Sequence, residues 1–132
     1  MDEHDYKLQS KLGLKPDQTA YILNIPSDYE KKLPQAIPLL DVTMINQDFD
    51  WLQAFYTDRL KLTEGIGLIK GKMSKLGQLW ISWPKKSSEL KSNLSDNTVR
   101  DIGLSVGLVD VKIVAIDETW SGLKFVYRIK DR

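Results

Sequence analysis

The residues best suited to chemistry fall in two short stretches. Trp83-Pro84-Lys85-Lys86 sets two ammonium groups beside an indole. Asp117-Glu118-Thr119-Trp120-Ser121 sets two carboxylates beside another, with Lys124 three residues further on. Lysines and flat rings hold anions and planar molecules, and a carboxylate in a cleft takes protons once desolvation raises its pKa. Asn24 and Tyr56 join them because each sits at or near the end of an apolar run, where a strand should stop. The carboxyl ends of strands in an open α/β sheet form the edge where ligands bind. The candidate ligand site is therefore Asn24, Tyr56, Trp83, Lys85, Lys86, Asp117, Glu118, Trp120, Ser121 and Lys124. Each has a plainer reading as well: solvated lysines, acids that pair with lysines or cap a hairpin, and tryptophans that fill a core.

Composition removes several chemistries. There is no cysteine, which excludes disulfides, thiolate catalysis and cysteine metal sites. The only histidine, His4, lies in a charged N-terminal segment (residues 1–8) expected to fray, so neither a histidine base nor a multi-histidine metal site is expected. A net charge of +1 gives no global attraction to nucleic acid or an anionic membrane. No apolar run is long enough to cross a bilayer and the start is acidic, so a cytoplasmic protein is expected. A chain of 132 residues makes one domain, 1–132.

The elements that must carry these groups are organised around residues 79–83. Leu79, Trp80, Ile81 and Trp83 form a nearly unbroken apolar run, entered through Gly77 and stopped by Pro84, the pattern of a strand covered on both faces. Before it, a short helix ends at Gly13, and a strand at residues 21–25 leads to Ser27-x-x-Glu30, a capping-box pattern. The helix it opens is cut short by Pro34. Residues 38–45 read as an edge strand with Asp41 inside it, and residues 49–55 as a third strand. Leu62, Ile66, Ile69 and Met73 then mark a long amphipathic helix. After the central strand come a polar loop, a helix capped by Ser95 or Asp96 and ended by Gly107, and a strand at residues 111–116. Ser121-Gly122 gives a hairpin signal, and a last strand alternates from Leu123. Strand–helix alternation closed by a hairpin predicts an α/β, doubly wound, mostly parallel sheet with an antiparallel last strand, inserted between residues 79–83 and 111–116.

A Gly-x-Leu-Trp strand, helix, strand, hairpin and antiparallel last strand resemble the second half of a class I, adenosylmethionine-dependent methyltransferase fold. In that fold the final strand inserts between its two predecessors. Trp-Pro-Lys-Lys (83–86), Gly-Leu-Val-Asp-Val-Lys (107–112) and Asp-Glu-Thr-Trp-Ser-Gly-Leu-Lys-Phe (117–125) are similar to a bacterial family of small proteins, domain of unknown function number three thousand and fifty-two. That resemblance implies a fold and supplies no activity. The methyltransferase resemblance implies a glycine-rich turn after strand one and an acid at the end of strand two for ribose hydroxyls. Here the turn, Asn24-Ile25-Pro26-Ser27-Asp28, has no glycine, Asp28 and Glu30 bring negative charge to it, and Asp41 reads as mid-strand.

No cofactor is therefore expected, and adenosylmethionine should bind no tighter than about millimolar, roughly 4 kcal/mol. The leading expectation is a non-catalytic domain that binds a small anionic or flat aromatic ligand, or regulates through one. Two alternatives stay open: an enzyme with an atypical cofactor mode using Asp117 and Glu118 as acid/base groups, and a protein-interaction module. Membrane and nucleic acid are not expected partners, and a homo-oligomer is left open.

Overall fold

The computed structural model describes residues 3–132, with side chains from Lys7 onward. Helix α1 (Glu3–Lys11) leads to Gly13, whose φ of 66° is the left-handed turn that stops a helix. His4 lies outside the described side chains. The chain continues through β1 (Ala20–Leu23), a 3-10 turn (Tyr29–Lys31), β2 (Ile37–Leu39), a second 3-10 turn (Val42–Met44) and β3 (Phe49–Phe55). It then runs through α2 (Arg59–Lys70), β4 (Met73–Pro84), α3 (Asp96–Ser105), β5 (Leu108–Ala115) and β6 (Trp120–Tyr127).

These form one mixed sheet in the order β2-β1-β3-β4-β6-β5. β1 pairs in parallel with β2 and β3, and β3 with β4, while β6 runs antiparallel to both its neighbours. Leu79 sits opposite Phe125 and Ile113 opposite Leu123, so the last strand is inserted where the alternation placed it. Residues of β4 point alternately to two separate cores. Leu79, Ile81 and Trp83 pack with α2 and α3 through Leu62, Ile66 and Val99. Trp80 packs on the opposite face with Leu8 and Leu12 of α1, Tyr29, Trp51, Phe55 and Trp120. Burial on both sides is why this strand reads as a continuous apolar run.

Several boundaries differ from the sequence expectation. β2 is three residues long and outermost, and Asp41 lies past its end, where its carboxylate caps the next turn by accepting from the Thr43 N–H at 2.8 Å. The capping box at Ser27 does not form; Asp28 occupies the cap position in the left-handed conformation without a side-chain bond. Helix α2 stops at Lys70, and Met73 already opens β4. Ser121 and Gly122 lie inside β6; the hairpin turn belongs to Asp117, which accepts from the N–H groups of Thr119 and Trp120, both at 2.8 Å. No helix among the described residues is long and apolar enough to cross a membrane.

Candidate active site

The parallel strands bring their carboxyl ends to one edge, and two cavities open there on opposite faces of the sheet. The first, about 270 Å³, lies on the α2 side. Its floor comes from Leu23 and Asn24 after β1, its side from Leu40, Asp41 and Val42 after β2, and its far wall from Tyr56 after β3. Lys61, Glu64, Gly65 and Leu68 of α2 close it. Asn24 has φ 58°, a left-handed backbone that asparagine tolerates better than most residues. Its amide nitrogen donates to the Phe55 carbonyl at 3.1 Å and its backbone N–H to the Leu39 carbonyl at 3.3 Å. One residue thus pins together the ends of β1, β2 and β3.

Asp41 is exposed, and its hydrogen bonds from Thr43 hold its carboxyl below the usual carboxylate range, so it is ionised at neutral pH. Tyr56 is buried at 9% exposure; burial, and next the charge of Asp41, push its phenol up, so it stays neutral and able to donate. Its hydroxyl rests on Gly65, where an added Cβ would lie 2.4 Å away.

The second cavity, about 710 Å³, lies on the α1 side. Lys7, Leu8 and Lys11 of α1, Lys32, Lys85 and residues 115–119 line it. Lys32 pairs with Asp117 at 3.4 Å, and Lys11 donates to the Ala115 carbonyl at 2.6 Å. A third hollow, about 430 Å³, sits beneath the loop at residues 85–94 and takes in Lys86 as well as Lys85.

The ten residues singled out from sequence are not gathered into one cleft. Asn24 and Tyr56 line the first cavity, Lys85, Asp117 and Glu118 the second, and Lys86 the third. Trp83 and Trp120 are both buried, in cores on opposite faces, so they cannot flank a common ligand. Ser121 pairs with Trp83 in the ladder, and Lys124 sits opposite Trp80 and Lys112, well inside the sheet. Burial, and then the neighbouring Lys112, push the Lys124 ammonium down. Asp41, Lys32 and Lys11 line these cavities and were not among the ten. A signal for Asp41 existed: Asp-x-Thr is an N-terminal cap pattern that ends an extended segment. Among the described residues, no group of acids, histidines or cysteines is placed to hold a metal.

No protein-family model matches the chain, and no curated protein does. Solved structures match over nearly its whole length. Magnesium protoporphyrin IX methyltransferase (ChlM) from Synechocystis PCC 6803 with bound SAM superposes at TM-score 0.63 and 10% identity, covering 95% of this chain and 80% of that one. The N-methyltransferase NodS from Bradyrhizobium japonicum WM9 gives 0.63 and 12%, covering 93% of each. The fold is that of the class I methyltransferases. A ribosomal protein L11 methylase from Lactobacillus delbrueckii subsp. bulgaricus agrees, at 0.62 and 11%, covering 94% of this chain and 76% of its own. This corrects the expectation of a non-catalytic ligand-binding domain. The structures that share the methyltransferase fold are enzymes by name, solved with SAM or SAH bound in the ChlM case.

Proposed function

We propose that this protein is an adenosylmethionine-dependent methyltransferase whose cofactor occupies the α2-side cavity. The observation that carries the reading is the placement of Asp41. Its ionised carboxylate stands at the carboxyl end of β2 and lines the same cavity as Asn24 at the end of β1. A carboxylate there can accept from two ribose hydroxyls, and Leu23, Leu40, Val42 and Leu68 offer apolar walls to a purine. The donor and acceptor set fits the group.

The turn after β1 has no glycine, yet its left-handed positions are filled by Asn24 and Asp28 (φ 66°), residue types that adopt this backbone most readily after glycine. Asp28 and Glu30 would repel a phosphate; adenosylmethionine carries none, and its sulfonium and ammonium are cations. When bound, the cofactor supplies an electrophilic methyl group. The chain's own part is to orient it through Asp41, to hold the strand ends through Asn24, and to keep the neutral Tyr56 hydroxyl at the cavity wall. The motifs at residues 83–86, 107–112 and 117–125 are what would support membership of the bacterial domain-of-unknown-function family they resemble.

Calorimetric titration with S-adenosylhomocysteine tests it. Micromolar affinity is expected, about 8 kcal/mol of binding. Asp41→Asn keeps an oxygen for the Thr43 cap but removes the charge, and should weaken binding about tenfold or more, since a hydrogen bond to a charged group contributes roughly 1.5–3 kcal/mol. No heat at millimolar ligand would end the assignment.

A further inference from the structure

The α1-side cavity, about 710 Å³, opens on the carboxyl edge, and nothing in the cofactor reading uses it. We infer that this cleft is a binding site for a small organic anion, one bearing a phosphate or carboxylate group on an apolar body.

The charge inventory carries the chemistry. Lys32 is matched by Asp117, and Asp117 is further occupied by two backbone N–H groups of its own turn. Lys11 gives a hydrogen bond to a neutral carbonyl, so its full positive charge stays in the cleft. Lys85 is half-buried, and among the described residues its ammonium makes no ion pair and no side-chain hydrogen bond. Its backbone is nevertheless fixed, because its N–H donates to the Thr119 carbonyl at 2.8 Å. A cation anchored at its root with an uncommitted head is suited to an incoming anion. Glu118 is the carboxylate that opposes it; it is exposed, at the rim. Leu8 and Ile116, both nearly buried, supply an apolar floor. An anion that bridges Lys11 and Lys85 across that floor satisfies both charges.

The anion site does not rest on the methyltransferase reading, and the test separates them. Backbone amide NMR shifts would be followed on the whole chain during three titrations: inorganic pyrophosphate, citrate and S-adenosylhomocysteine. Saturable shifts at Lys32, Lys85, Glu118 and Thr119 are expected with pyrophosphate or citrate, and whichever binds tells phosphate from carboxylate. Lys85→Glu should weaken that binding about tenfold or more, which is at least 1.4 kcal/mol. Lys86→Glu, one residue away and facing the other hollow, should change it little, and neither variant should alter the S-adenosylhomocysteine shifts. Equal loss in both variants means a diffuse lysine surface and overturns the site, as does the absence of saturation with both anions. If the anions bind but S-adenosylhomocysteine does not, the anion site stands and the methyltransferase reading falls.

Discussion

Gln53 and Ser82 are the polar residues fully buried among those described, and they are not isolated. The Tyr29 hydroxyl donates to the Gln53 carbonyl oxygen at 2.8 Å, and the Gln53 amide donates to the Ser82 hydroxyl at 2.9 Å. The chain ties the turn after β1 to the centres of β3 and β4. Burial drives the Tyr29 phenol far above its ordinary value, outweighing the effect of its hydrogen bond to Gln53, so the donor keeps its proton throughout the usual pH range. Replacing Gln53 with Leu would strand both partners without water to receive them. The expected cost is roughly 1–3 kcal/mol for each buried group left unpaired. Urea unfolding would read it, and adding Tyr29→Phe to Gln53→Leu should recover part of the loss. A double variant that unfolds as if the two changes simply added would mean the bond contributes nothing of its own.

At the scale of elements, the glycines show how closely helices approach the sheet. An added Cβ at Gly103 in α3 would lie 2.1 Å from the Phe125 ring, which is wholly buried under the helix. At Gly67 in α2 it would meet nothing within 4 Å. Alanine therefore should have opposite effects. Gly67→Ala should stabilise by about 1 kcal/mol through helix propensity alone. Gly103→Ala gains the same term but forces the ring aside, at roughly 1–3 kcal/mol or more, so its melting temperature should fall. Strand and helix identities were legible because period and punctuation agree, as with Ser95, whose hydroxyl accepts from the Thr98 N–H. Boundaries were not. Leu62, Ile66, Ile69 and Met73 all enter one core, so the periodicity continues across the helix end into β4. The error that mattered most was at β2. Extending that strand to residue 45 hid Asp41 in its middle and took the acid proposed for the cofactor out of consideration. The two tryptophans misled for a related reason. Trp83 pairs with Ser121, and Pro84 with Trp120, so the indoles are one step out of register and face opposite ways.

For the whole molecule, α1 decides whether the second core exists. Leu8, Leu12 and Leu14 are buried in it, although residues 1–8 read from sequence as a fraying end. The indole N–H groups of Trp51 and Trp80 both donate to the single carbonyl of Leu12, at 2.8 and 2.9 Å. Two strands are therefore anchored to one peptide group just past the helix. Such a pairing could not be read from sequence, since Leu12 and Trp80 are 68 residues apart and a backbone acceptor leaves no trace in residue type. Removing residues 1–14 would expose the leucine-facing surface, where each buried side chain contributes roughly 1.5–3 kcal/mol. It would also exchange two buried indole hydrogen bonds for bonds to water, at roughly 1 kcal/mol each. Together these approach the 5–15 kcal/mol that holds a typical domain folded, by about the same order. The truncated chain should keep much of its far-ultraviolet circular dichroism and lose its near-ultraviolet signal, with tryptophan emission shifted to the red. A truncated chain that still unfolds in one cooperative step with native emission would show that the α2–α3 core is sufficient, and that α1 serves the cleft it borders rather than the fold.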